Sequence, residues 1–323
     1  MAKVQKPQSR RAEQRAQLTD AADRGRMAAA QAIRRRAATR RARRAAPTRP
    51  VRRRAQGTAE PDIPARTRRA LASSPPTGLI IAEGDSWFDY PLNDVLSMLE
   101  DEHGFEVEAV ARKGDTVEDM AYGTGQFDDF VRLFEKLLRQ GRVPDAILLS
   151  GGGNDIAGDE FAILINHVLS GLPPVNDDIV RGVVDVRLRN AYTFLISGLT
   201  EITLRYLDRP IPILLHGYDY AVPDGRGFLG GWALLPGPWL QPGLFQKGHQ
   251  NLNTNKVIIR ALIDALNVML KRVSAMPQFD HVRYIDLRGT LSQGAGYKDD
   301  WANELHPTKH GFRVVGAKIA REI

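Results

Sequence analysis

From Gly78 to the C-terminus, short apolar runs alternate with stretches of helical period, and that alternation leaves few folds open. The runs at 79–82, 105–111, 146–150, 211–216 and 282–287 are too short for helices and mostly apolar, as buried parallel strands are. Helices are predicted between them, over 91–102, 127–140, 186–207, 255–276 and 308–322. Strand and helix in regular turn predict an α/β fold, a parallel sheet sandwiched between helices in three layers.

The N-terminal quarter does not share this pattern. Residues 1–76 hold 21 Lys and Arg against 5 Asp and Glu, a net of +16, so with +7 overall the remainder carries −9. The chain therefore reads as an acidic body with a basic extension. Within the first fifty residues Val4, Leu18, Met27 and Ile33 are the only larger apolar side chains, too few to bury a core, and the segment is expected to be disordered or only transiently helical by itself. Ala and Arg favour helix, so 12–46 is expected to become helical on meeting an acidic partner, with Gly25 weakening it. The prolines from Pro47 to Pro76 read as an extended linker, placing a boundary between a 1–76 extension and a 77–323 domain. The partners such an extension suits are nucleic acid, an anionic membrane surface, or an acidic protein body, this one included.

With no cysteine, disulfides, redox dithiols and thiolate metal sites are excluded. No stretch resembles a secretion signal or a membrane span, so the chain is expected in the cytoplasm, or peripherally at an anionic membrane. Oligomeric state leaves no trace in the sequence.

One segment, 222–252, breaks the alternation. It is rich in Gly and Pro and carries Phe228, Trp232, Leu235, Trp239, Leu240, Leu244 and Phe245. A loop of this length and apolarity suits the wall of a ligand pocket, with Trp232 and Trp239 as candidates beside Trp87.

The chemistry-bearing residues follow the strands. Ser86 comes after the first run, Gly114 after the second, Asn154 after the third, and His306 after the last run and before the last helix. In a parallel sheet all four meet at the carboxyl edge, where ligands bind. Acyl transfer needs a nucleophile, a base and oxyanion donors, and these residue types can supply each.

The order Gly84-Asp85-Ser86, Gly114, Gly152-Gly153-Asn154-Asp155 and His306 resembles the SGNH, or GDSL-type, hydrolases over roughly 78–323, as do His216-Gly217-Tyr218-Asp219-Tyr220 and Gly237-Pro238-Trp239-Leu240. The resemblance implies a flavodoxin-like sheet, no cofactor, and hydrolysis of a small-molecule or lipid carboxylic ester. It makes Ser86 the nucleophile, His306 the base, and the Ser86 N–H, Gly114 N–H and Asn154 side chain the oxyanion hole. The chain departs from the family in one place. Three residues before the histidine, where the family has Asp, stands Asn303. Asp300 is the first candidate to orient the ring in its stead, a backbone carbonyl near Asn303 the second, and Asp299 or Glu304 the third. A weakly active hydrolase fold whose basic extension carries an interaction function is the competing reading.

Other polar residues have plainer readings. Asp85 and Asp155 are expected to brace their turns, and His216 to be a core histidine. His306 and His310 lack a third ligand at a metal-binding spacing, and the Gly151-Gly152-Gly153 run lacks the Lys-Ser/Thr of a phosphate loop, so neither a metal nor a nucleotide is expected.

Overall fold

The computed structural model describes residues 7–45, 75–158, 161–230 and 235–323. The expected linker through Pro47 and Pro64, and Trp232, lie outside the described residues. Five strands, β1 (Leu79–Glu83), β2 (Glu106–Ala109), β3 (Ala146–Ser150), β4 (Ile213–His216) and β5 (Val282–Ile285), form one sheet in the order β2-β1-β3-β4-β5. Every pairing is parallel; Ile80 sits between Val107 and Ala146, and Leu214 between Leu148 and Arg283. All residues of β1, β3 and β4 are buried, which requires both faces of the sheet to be covered.

Around the sheet run α1 (Pro7–Ala45), α2 (Val95–His103), α3 (Val117–Tyr122), α4 (Gln126–Arg139), α5 (Asp177–Gly182), α6 (Arg189–Leu207), α7 (Gln241–Gln246), α8 (Leu252–Ser274), α9 (Tyr297–Asp300) and α10 (Lys309–Ala320). Helices α2 and α10 pack on each other, while α6 packs against α3, α4 and α8. The chain leaves β1 for the β2 edge and then crosses back to β3 on the other side of β1. That reversal opens a crevice at the carboxyl ends of β1 and β3, where Ser86 and Asn154 stand.

The basic extension is more structured than its composition suggests. Helix α1 lies against α6 and α4 of the same chain, so of the two states expected for this extension, disordered or helical, these residues take the helical one. The physical reason is a stripe of small side chains: Ala21, Ala22, Ala29 and Ala32 are buried, and Gly25 lets the two helix backbones touch. A Cβ on Gly25 would stand 2.0 Å from the Phe194 carbonyl oxygen, so this glycine is required by the packing instead of weakening the helix. Charge adds to the fit. Arg35 forks onto Asp128 at 2.7 and 3.2 Å, and Arg36 and Arg40 approach the buried Glu135 carboxylate at 3.5 and 3.2 Å. Among the described residues no helix is long and apolar enough to cross a membrane.

Candidate active site

The turn after β1 is built by Asp85. Its carboxyl group accepts from the Trp87 N–H at 3.1 Å, from Ser150 Oγ at 3.2 Å and from the Tyr218 hydroxyl, bracing the turn from which Ser86 lines the cleft. Burial raises the Asp85 pKa against the pull of those donors. Asp155 braces the β3 turn in the same way, accepting from the Val117 N–H at 3.0 Å, and burial pushes it up to about 7. Both do what turn-bracing carboxyls do. His216 is fully buried beside Trp87 and Phe88, a core residue.

His306 follows β5, which β3 and β4 separate from β1, so the segment between must cross the carboxyl edge of the sheet. Three contacts route it. Asp219, after β4, accepts from the N–H groups of Gly289 at 2.7 Å and Leu291 at 2.5 Å; the Trp87 indole N–H donates to the Leu305 carbonyl at 3.0 Å; and Arg226 donates to the carbonyls of Trp301 and Ala302. The imidazole thereby reaches Ser86, with Nε2 2.8 Å from Oγ.

The other ring nitrogen, Nδ1, lies 3.1 Å from Asn303 Oδ1. Which end of that carboxamide faces the ring is fixed by its neighbours. Oδ1 accepts from the backbone N–H of Leu305 at 3.0 Å and of His306 at 2.9 Å, donors that an NH₂ could not satisfy, and Nδ2 donates to the Tyr90 hydroxyl at 2.8 Å. With an acceptor at Nδ1, the neutral ring carries its proton there and offers Nε2 to Ser86. Among the described residues no carboxylate touches the imidazole, and burial pushes its pKa down from 6.5 to about 3.

The alternative orienters are elsewhere. Asp300 closes α9, and its carboxylate accepts from the Ser292 N–H at 2.7 Å and lies 3.7 Å from His310, away from the His306 ring. Asn303, not Asp300, therefore meets Nδ1, because the 300–306 segment folds into a bridge between Trp301 and Pro307 that turns Asp300 outward. Glu304 is turned the other way. Its carboxyl group takes the N–H groups of Gly225, Trp239, Leu240 and Gln241, at 2.6 to 3.0 Å, and so ties the 222–252 loop to the histidine segment.

Ser86, Gly114, Asn154 and His306 line one cleft of about 410 Å³. Gly114 holds a left-handed φ of +86°, and neither its N–H nor that of Ser86 is engaged by another group among the described residues. The Asn154 carboxamide donates one N–H to the Asp115 carbonyl at 2.9 Å, which fixes the amide and leaves its second N–H free. Trp239 borders the cleft with Phe228, Leu235 and Pro236, its ring edge-on to His306 at 5.6 Å. Trp87 does not: its indole is buried beneath the cleft. Tyr90, which sequence reasoning missed, stacks on the imidazole at 4.0 Å. Its one signal was position, next to Pro91 in the aromatic run that begins at Trp87. Among the described residues no cluster of metal-ligating side chains occurs.

No protein-family model and no curated protein matches the sequence. The chain is similar in structure to an extracellular lipase from Streptomyces rimosus, with 16% identity over 76% of this chain and 98% of that one and a TM-score of 0.43. It is also similar to a lipase/acylhydrolase from Enterococcus faecalis (17% identity, 76% and 95% covered, TM-score 0.38) and to an acetyl xylan esterase from Geobacillus stearothermophilus (13%, 77% and 95%, TM-score 0.35). The chemistry of the site rests on its own geometry.

Proposed function

We propose that the protein hydrolyses carboxylic esters through an acyl-enzyme on Ser86. The observation that carries this reading is the 2.8 Å contact between Ser86 Oγ and His306 Nε2, in a cleft that also presents three unengaged N–H donors. Ser86 Oγ attacks the acyl carbon while its proton passes to Nε2. The carbonyl oxygen becomes an oxyanion facing the N–H groups of Ser86, Gly114 and Asn154. Its collapse breaks the ester C–O bond, and His306 returns the proton to the leaving alcohol. Water, deprotonated by the same Nε2, then attacks the acyl-serine and frees it. Asn303 sets the tautomer throughout but brings no charge to steady the imidazolium, so turnover is slow for a serine hydrolase. Ser86→Ala is expected to abolish hydrolysis of p-nitrophenyl acetate with the circular dichroism spectrum intact; full activity in that variant would falsify the assignment.

A second reading draws on α1. Arg11, Arg15, Arg34 and Arg41 are exposed on it, a basic ridge suited to an anionic partner. Binding to nucleic acid or anionic vesicles that weakens steeply with salt, in a chain whose Ser86 ignores a fluorophosphonate probe, would favour that role over catalysis.

A further inference from the structure

Beneath the cleft lies a second, smaller cavity of about 40 Å³, which shares Ser86, Asn154 and Leu305 with it. Its other walls are Trp87 and Trp301 on one side, Ile156 after β3, and Leu240 and Leu262 beyond, all buried, with the half-buried Ala157 beside Ile156. The polar groups lining it are already engaged. The Tyr218 hydroxyl donates to Asp85, the Asp219 carboxylate is held by backbone N–H groups, and both indole N–H groups are given to carbonyls, of Leu305 and Ser292. Apart from Ser86 and Asn154, the cavity has nothing to offer an alcohol, a sugar or a charged group.

Resting on the esterase reading above, we infer that this inner cavity is the acyl subsite and that it selects short acyl groups of two to four carbons. Two arguments lead there. The leaving alcohol and the deacylating water must exchange with solvent, and the outer cleft, with exposed Lys113 and Gly114 on its rim, is open to it. The acyl group alone stays bound between the two half-reactions, so a small, apolar chamber with mostly buried walls beside Ser86 suits it and nothing else in the cycle. Size then sets the length. A water molecule needs about 10–15 Å³ of such space, so about 40 Å³ holds roughly three heavy atoms, the chain of a butyryl group beyond its carbonyl. Longer chains must displace Leu262 or Trp301, which are packed in the core.

The test is a chain-length series, p-nitrophenyl acetate, butyrate, hexanoate and octanoate, on the full-length protein with fluorophosphonate labelling of Ser86 as a parallel readout. kcat/KM is expected to rise about fourfold per methylene up to butyrate, and to fall at least tenfold at hexanoate. Ala157→Leu, which fills the cavity from a half-buried position, lowers the butyrate-to-acetate ratio at least tenfold while Ser86 still labels. Leu262→Ala moves the optimum to hexanoate; should that core truncation fail to fold, Ala157→Leu decides alone. Rates that are flat or climb through octanoate, or an Ala157→Leu variant with an unchanged butyrate-to-acetate ratio, overturn the acyl subsite and leave the esterase standing. No hydrolysis of any ester together with no labelling overturns both.

Discussion

Replacing Asn303 by Asp asks whether the missing charge is what limits the site. In a serine protease the reverse exchange lowers kcat by about 10⁴ because the amide imposes the wrong histidine tautomer. Here the tautomer is already right, since the Leu305 and His306 N–H groups hold Oδ1 toward the ring. Only the charge is absent. A carboxylate at the same place would stand about 4 Å from the imidazolium charge centre, worth about 4 kcal/mol at an effective dielectric of about 20, or up to about a thousandfold in rate. The variant needs no new partners for that charge: the two backbone donors and the ring N–H face one oxygen, and the Tyr90 hydroxyl can turn to donate to the other. We therefore expect Asn303→Asp to raise kcat between tenfold and a thousandfold with p-nitrophenyl acetate at pH 8. The pH profile provides a second, independent reading. Burial holds the wild-type ring near 3, so it stays neutral and able to accept a proton as pH falls, and the acid limb of kcat/KM lies below pH 5. The new carboxylate raises the ring pKa, so in the variant that limb moves up toward neutrality. A folded Asn303→Asp protein with no gain in kcat and an unmoved limb would refute the idea that charge at this position limits the reaction.

Two further perturbations probe what supports the site. Glu83 ends β1, buried, with the Gln126 amide donating to it at 2.6 Å, and burial pushes it up to about 8. Between about pH 4.5 and 8 the unfolded chain releases this proton while the folded chain keeps it, so the group's contribution to stability falls as pH rises. Glu83→Gln removes that slope: its melting temperature should match wild type near pH 4.5 and exceed it by roughly 5 °C or more at pH 8, a gap on the order of 3 kcal/mol, and equal melting temperatures at pH 8 count against it. Glu304→Gln puts an NH₂ where two of four loop N–H groups now find an oxygen, at a cost of about 2–4 kcal/mol. The loop bearing Trp239 should loosen from the His306 segment and kcat/KM drop at least tenfold; wild-type kinetics would show that the tie is dispensable.

What the sequence exposes and what it hides divides along the range of the interaction. The three inner strands are legible within a few residues because a strand covered on both faces is apolar almost throughout, a demand written in consecutive letters, as in Leu79-Ile80-Ile81-Ala82, whereas the edge strands β2 and β5 interleave Glu106, Glu108 and Arg283 with their apolar residues. The crevice follows from topology, which gathers residues after different strands at one edge. The docking of α1 is different. Its contact surface is made of Ala21, Ala22, Gly25, Ala29 and Ala32, residues indistinguishable by composition from a low-complexity run, and only their spacing of one to four on a helix marks a face. The +16 against −9 imbalance pointed to an acidic partner, yet charge alone does not choose between a partner and the chain's own Asp128 and Glu135. The ring orienter is the least legible of all. Asn303 is visible at the right spacing, but its suitability depends on two backbone N–H groups at Leu305 and His306 that prevent the amide from flipping, and backbone donors have no letter of their own. The same holds for Glu304, which from the sequence is a candidate to orient the ring, whereas its carboxyl group is taken by four N–H groups of a loop some sixty to eighty residues earlier. A single amide oxygen held by main-chain donors can thus fix the geometry of a base without supplying its charge, which is why geometry and rate have to be tested separately at this site.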